Sequence, residues 1–271
     1  MVVGIPYDRG SPAGYSGCAA APQVLRALSS PRTLDIRAGS LVDLASNSLL
    51  FDGNVLSDLG DLKFSPSQDD LSYCEFVSNA IYLLADEGKV PLAIGGDHVI
   101  TVLSLRGLRK AGQKLQLVHL DAHHDADAVA DGERPTHSSF ITFVAAEGLA
   151  EKVIQVGVRG LSNGSPVLPN IVQSIALDQL KDVLLPGVNV YLSIDTDAFD
   201  PSIAPAVHFP EPGGLVFSAL ADVIHALKDA GVKGVGADWT EYCPPLDTRN
   251  LITGRHVVHG LARVIQFLAL P

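Results

Sequence analysis

The sequence is poor in cysteine, in basic side chains and in long apolar runs, and each shortage closes off a class of protein. Its 271 residues include only Cys18, Cys74 and Cys243, far apart and without a CxxC pair. A disulfide framework or an all-thiolate zinc module needs more thiols, so reduced cysteines in a cytoplasmic protein are expected. Lys and Arg number 19 against 30 Asp and Glu, a formal net charge of -11. Nucleic acid and anionic membrane both require clustered cations, so neither is expected as a partner, whereas a small cationic substrate is compatible. No uninterrupted apolar run approaches the roughly 18–20 residues of a membrane span. Met1 to Pro6 has no basic segment ahead of its apolar residues, so no signal peptide is expected.

What is present is a packed globular composition, 47% hydrophobic and 18% charged. Continuously apolar stretches are predicted as strands at Met1–Pro6, Val42–Leu44, Val55–Leu59, Val90–Ile94, Leu115–Leu120, Lys152–Val158, Val188–Ile194 and Val232–Ala237. Helices are predicted at Gln23–Leu28, Ser67–Glu87, Val99–Lys110, Ser138–Glu147, Val216–Ala230 and Arg255–Leu270. Strands that are apolar throughout and alternate with helices mean a parallel sheet covered on both faces, a three-layer αβα arrangement. There is no internal repeat and no linker, so residues 1–271 are expected to form one domain.

Three of these strands run into the same kind of chemistry. Leu115 to Val118 leads into His119-Leu120-Asp121-Ala122-His123-His124-Asp125, five of whose seven side chains can bind a metal. Leu92 to Ile94 leads into Gly95-Gly96-Asp97-His98, and Tyr191 to Ile194 into Asp195-Thr196-Asp197. Ligand sites in parallel sheets lie at the carboxyl ends of strands. Residues two apart in an extended segment face the same way, so Asp121, His123 and Asp125 are expected to converge, as are Asp195 and Asp197. Four carboxylates and two imidazoles, with His98, are too many for one ion and suit an oxygen-preferring ion such as Mn²⁺ better than structural zinc. Two ions about 3.5 Å apart would accommodate them. Any one motif alone reads equally well as helix-capping Asp and His. His119 and His124 have the opposite parity and are read as supporting residues.

These segments, together with Ala198-Phe199-Asp200-Pro201, Leu59-Gly60-Asp61, Val156-Gly157-Val158-Arg159-Gly160 and Glu241-Tyr242-Cys243-Pro244-Pro245, resemble the signatures of the ureohydrolases, the arginase, agmatinase and formiminoglutamase family. The resemblance implies an αβα sandwich holding two Mn²⁺. One ion would be held by His98, Asp121, Asp125 and Asp195, the other by Asp121, His123, Asp195 and Asp197. It implies hydrolysis of a guanidino C–N bond by a hydroxide shared between the ions, releasing urea or hydroxyurea plus an amine. Asp125 would aim the hydroxide, Glu241 would orient the guanidinium as a bidentate partner, and His137 would carry a proton to the leaving amine.

The chain departs from the family in its loops. Ala206-Val207-His208-Phe209-Pro210-Glu211-Pro212-Gly213-Gly214 replaces a Gly- and Thr-rich wall, which makes His208 a candidate substrate contact. The 127–136 segment offers Asp127, Arg134 and Thr136 where arginases place Asn and hydroxyl groups, and Gly160-Leu161-Ser162 lacks the acid that arginases place nearby. Similarity to short, Ala-rich amidinohydrolases of antibiotic biosynthesis, such as that of the D-cycloserine route, implies Nω-hydroxy-L-arginine as substrate, giving hydroxyurea and ornithine. Agmatinase, guanidinobutyrase and formiminoglutamase activities stand beside it, and a single-zinc deacetylase-like amidohydrolase or a non-catalytic scaffold stand further off. The sequence stops at Pro271 just past its last helix, so a trimerising C-terminal tail is not expected, and a monomer is as admissible as a homo-oligomer.

Overall fold

Short runs of Val, Ile and Leu set the framework of the computed structural model, which describes residues 1–29, 41–44, 48–51, 56–65, 68–161, 168, 170–248 and 250–269. In chain order the elements are β1 (Val2–Ile5), α1 (Ala21–Leu28), β2 (Leu41–Asp43), β3 (Ser48–Phe51), β4 (Asp58–Asp61), α2 (Asp70–Asp86), β5 (Leu92–Gly95), α3 (Val99–Lys110) and β6 (Leu115–Leu120). They continue as α4 (Phe140–Ala146), β7 (Val153–Val156), β8 (Ile171–Ile175), α5 (Leu180–Val183), β9 (Asn189–Asp195), α6 (Phe217–Asp229), β10 (Gly234–Thr240) and α7 (Ile252–Leu268). Eight strands form one sheet in the order β4-β1-β5-β10-β9-β6-β7-β8. Every pairing in it is parallel. The sheet divides the core in two by strand alternation. Val118, Leu120, Leu192, Ile194 and Trp239 face α1, α6 and α7, whereas Leu115, Leu117, Tyr191 and Val235 face α2, α3 and α4. This is the expected αβα arrangement.

Most expected elements are present with shifted ends. Asp69 caps α2 by accepting a 2.7 Å hydrogen bond from the Ser72 amide, which starts the helix at Asp70. Gly88 ends it in the left-handed conformation at φ +72°. The antiparallel pair β2–β3 is only half expected, since β3 lacks a long apolar run, and β8 was not predicted. β10 runs past its expected end at Ala237 to include Asp238, Trp239 and Thr240. An Asp inside a central strand reads as a strand end, but Asp238 is fully buried and accepts hydrogen bonds from Ser193, Thr101 and Tyr191. The expected element ends at Val55, Ser67 and Leu270, and the reading of Ser162, fall outside the described residues.

Candidate metal centre

Strands β1, β5, β10, β9 and β6 lie side by side, and the turns leaving their carboxyl ends carry the polar residues singled out above. Gly96 follows β5 against the backbone of Tyr7, where a Cβ would lie 1.6 Å from the Tyr7 carbonyl oxygen. Only glycine fits there, and the close approach seats His98 at the start of α3.

His98 is fully buried, and its Nε2 lies 2.9 Å from Ser193 Oγ. Ser193 in turn donates to Asp238 Oδ1 at 2.7 Å, which leaves its oxygen free to accept from the imidazole. That assigns one ring proton to Nε2 and turns Nδ1 toward the site. Nδ1 is enclosed and lacks a well-formed hydrogen bond. It lies 2.9 Å from Asp195 Oδ2, 3.2 Å from Asp121 Oδ2 and 3.3 Å from Asp125 Oδ2. A ring nitrogen among three carboxylate oxygens, where a divalent ion can take the place of a proton, is the donor set of a cation site. Asp121 belongs to a second group as well: His123 Nδ1 lies 3.5 Å from Asp121 Oδ1 and 3.0 Å from Asp197 Oδ2. The structure thus brings all six expected ligands into two adjoining groups.

They do not converge by strand alternation. β6 ends at Leu120, the chain bends at Ala122 and His123, and Asp125 takes a left-handed φ of +47°. The Asp125 carbonyl accepts from the Ile141 amide at 2.9 Å, which helps hold that unfavourable conformation. Asp195 caps the turn after β9, its Oδ1 accepting from the Asp197 amide at 2.8 Å. His119 lies beneath, with Nε2 2.8 Å from Asp121 Oδ2 and Nδ1 3.0 Å from the Gln155 amide nitrogen. His124 Nδ1 accepts from the Ala126 amide at 3.0 Å and so makes a local turn.

The electrostatics point the same way. Burial and then the charge of Asp121 push Asp125 up to about 8. Burial, followed by the neighbouring carboxylates, raises Asp195 and Asp197. Burial would lower His98 and His123, yet the carboxylates around them prevail and lift His123 to about 12. Asp121 is held well below its usual range because contacts with His119, His123 and His98 outweigh its burial. Four buried carboxylates repel one another, and two divalent cations would balance their charge. The residues present therefore fit a two-ion centre.

Glu241 follows β10 with φ +59°. Its amide donates to the Gly96 carbonyl at 2.9 Å and its Oε1 accepts from the His98 amide at 2.9 Å, so it is tied to the His98 turn. Burial, then the charge of Asp97, holds its carboxyl well above the usual range. His137 stacks on Phe209 with ring centroids 5.5 Å apart, and burial followed by the charge of His98 lowers it to about 4.

A cavity of about 370 Å³ opens over the centre. Glu241, His137, Asp127 and His208 line it, joined by Phe209 and Glu211 of the same divergent loop as His208. Arg134 and Thr136 do not line it. They border a separate cavity, where Arg134 lies 3.2 Å from Asp70. The 370 Å³ cavity is also bordered by Arg159, whose donors all go to the carbonyls of Gly157, Asp197, Ala198, Glu211 and Pro212. The supporting network of Ser193, Thr101, Tyr191 and Asp238 was missed too, although a buried Asp within an apolar strand was the signal for it.

No described helix is long and apolar enough to cross a membrane. Among solved structures, the chain is similar to proclavaminate amidino hydrolase from Streptomyces clavuligerus, with a TM-score of 0.81 and 26% identity, covering 99% of this chain and 91% of that one. It is 33% identical to a mitochondrial arginase of Medicago truncatula over 75% of this chain, and spans 64% of that relative's length. It is 30% identical to the human mitochondrial guanidino acid hydrolase, over 90% of this chain and 71% of the relative. The arginase family pattern matches residues 1–265. With sheet order, strand-end chemistry and sequence in agreement, the chain belongs to the arginase family.

Proposed function

We propose that residues 1–271 form one catalytic domain that hydrolyses the guanidino C–N bond of a small cationic substrate with two Mn²⁺ at the Asp/His centre. The observation that carries this reading is His98 Nδ1, enclosed within 3.3 Å of three carboxylates, beside a second donor group that shares Asp121. His98, Asp121, Asp125 and Asp195 would hold one ion, and Asp121, His123, Asp195 and Asp197 the other. When bound, such a pair lowers the pKa of a shared water enough to supply a nucleophile near neutral pH. Oxygen-rich ligands favour Mn²⁺ over zinc, which counts against the single-zinc amidohydrolase reading.

The protein's own groups do the rest. Glu241, pinned by the His98 amide, offers a carboxylate to two guanidinium N–H groups and fixes the carbon over the centre. A guanidinium beside it restores the charge that burial disfavours. His137 is neutral at working pH and accepts a proton at a ring nitrogen before passing it to the leaving amine. Asp125 takes a hydrogen bond from the attacking water and aims it. Free cysteines support a reducing compartment, and we place the protein in the cytoplasm.

The lining of the cavity favours a substrate whose tail is also positive. Asp127 and Glu211 stand at its rim, while Arg159 has no donor to spare among the described residues. A guanidinoalkylamine such as agmatine meets those conditions. Nω-hydroxy-L-arginine and 4-guanidinobutyrate carry a carboxylate that would find no free cation there among the described residues, so they rank behind it. Urea and hydroxyurea release should be measured for the Mn²⁺-loaded protein with agmatine, L-arginine, Nω-hydroxy-L-arginine, 4-guanidinobutyrate and formiminoglutamate. Agmatine is expected to show the highest kcat/KM. No turnover of any guanidino compound would overturn the hydrolase reading, and preference for a guanidino acid would overturn the assignment of the tail.

A further inference from the structure

Beside the Asp/His centre lies a donor cluster of different chemistry. Cys18, Cys243 and His208 bring two sulfurs and a ring nitrogen within 4.8 Å of one another. Three strand-end loops supply them, after β1, β10 and β9, and each loop is fixed by backbone contacts. The Asp8 carboxylate accepts from the amides of Gly17 and Ala19 at 2.7 and 3.3 Å, which holds the turn carrying Cys18. Gly17 has φ +122°, and a Cβ there would meet Cys243 Sγ at 3.0 Å, so this turn sits directly on Cys243. The Cys243 amide donates to the Ala206 carbonyl at 3.0 Å, which ties it to the loop that carries His208. Both thiols are free, with exposures of 1% for Cys18 and 0% for Cys243. His208 Nε2 is enclosed and makes no hydrogen bond, although an enclosed ring nitrogen ordinarily has a partner.

We propose that Cys18, Cys243 and His208 form a second cation site, selective for a thiophilic divalent ion such as Zn²⁺, and that it governs the first site through Glu241. Thiolate and imidazole donors select Zn²⁺, whereas carboxylate-rich sites suit Mn²⁺, so the two neighbouring sites sort ions by softness. Zinc takes sulfur at about 2.3 Å and nitrogen at about 2.0 Å in a tetrahedron, which the three donors reach by closing inward slightly. Binding releases the two thiol protons to solvent. The fourth position has a candidate occupant, because Glu241 Oε2 accepts from Cys18 Sγ at 3.5 Å. A zinc-bound Glu241 cannot also receive a guanidinium, so filling the site switches hydrolysis off. The binding claim stands on the three donors alone, while the inhibitory consequence rests on the hydrolase reading above.

The test uses the Mn²⁺-loaded full chain kept reduced with a phosphine. X-ray absorption at the zinc edge after adding limiting Zn²⁺ is expected to show sulfur scatterers at the Zn–S distance. Co²⁺ as an optical probe is expected to give a thiolate charge-transfer band that Cys243→Ser and Cys18→Ser each weaken. A zinc edge with only oxygen and nitrogen neighbours, or a Co²⁺ spectrum without the thiolate band, would overturn the site, and neither reading needs a variant to fold or the enzyme to turn over. Zn²⁺ should also inhibit guanidino hydrolysis, with the half-inhibiting concentration rising at least roughly tenfold in Cys243→Ser, since losing a donor costs no less than losing an outer partner of one. Equal inhibition of wild type and Cys243→Ser, with the thiolate band present, would overturn the coupling to Glu241 and leave both the site and the hydrolase reading intact.

Discussion

The floor and the mouth of the cavity are built by different means. The floor is made at strand ends: His98, Asp121 and Asp195 are buried, His98 is hydrogen-bonded to Ser193 of β9, and Asp238 supports Ser193 from within β10. The mouth is made by loops, where Asp127 is exposed and His208, Phe209 and Glu211 are half-buried. Buried polar groups at the floor have one satisfactory arrangement, so the floor dictates reaction class. Residues at the mouth meet solvent and can change without breaking a network, so the mouth dictates which substrate is accepted. Substitutions at the floor should therefore act on catalysis and ion binding, and those at the mouth on substrate preference.

The sharpest break of this contrast is Asp195→Asn. Asp195 is shared by both proposed ion sites, so activity should fall by more than about a hundredfold, beyond what loss of an outer hydrogen-bonding partner does. Mn²⁺ should also cease to raise the melting temperature, since an ion that binds only the folded chain stabilises it by mass action. The ion-free variant should be at least as stable as the ion-free wild type, because one of four mutually repelling buried carboxylates is gone. Calorimetry with and without Mn²⁺ checks this, and an unchanged Mn²⁺ response would place the ions elsewhere.

One layer down, Asp238→Asn leaves every proposed ligand in place but weakens the contacts with Ser193, Thr101 and Tyr191. The expected loss is about 10–100-fold in Mn²⁺ affinity, with kcat largely recovered at saturating Mn²⁺. If kcat stayed depressed when the ions were saturating, Asp238 would be doing more than orienting His98.

At the mouth the effects should be smaller and of a different kind. Glu211→Gln removes a half-exposed charge, for which a partner is worth about 0.2–1 kcal/mol. KM for agmatine should rise no more than about fivefold with kcat unchanged, and the preference for agmatine over 4-guanidinobutyrate should narrow. A fall in kcat with constant KM would make Glu211 part of the floor.

The same contrast explains what the sequence disclosed. Apolar runs and the helical stretches between them were enough for the sheet and its two covering layers, and Val99–Lys110 and Leu115–Leu120 end where expected. The six candidate ligands stood out because each lies where an apolar strand stops. The reason offered for their convergence failed, since a bend and a left-handed Asp125 do what strand alternation was expected to do. Asp238 was hidden because its partners, Thr101, Tyr191 and Ser193, come from two other elements, and only folding shows that a buried carboxylate is satisfied. Arg134 shows the converse: being near the ligands in sequence does not put it on the lining of the 370 Å³ cavity. Neither the saturation of Arg159 nor the arrival of His208 beside Cys18 and Cys243 is written in any local pattern.

The smallest effect concerns stability rather than turnover, and it lies behind the floor. His256 on α7 packs edge-on against Phe199 and Phe217, with centroids 4.4 and 4.9 Å away, and its Nε2 is enclosed without a hydrogen bond. Burial, then the charge of His259, lowers it from 6.5 to about 4. Between those values the unfolded chain binds the proton and the folded chain does not, so stability rises with pH. The contribution is fully present above pH 6.5 and is lost as the pH falls toward about 4. His256→Phe removes the titrating group while keeping an aromatic ring among aromatic neighbours, so its melting temperature should fall less than that of the wild type across this window. Glu211→Gln, at the mouth, should follow the wild-type curve. Parallel curves for His256→Phe and wild type would mean that the imidazole finds solvent when protonated, and that the packing behind the floor yields more readily than its enclosure implies.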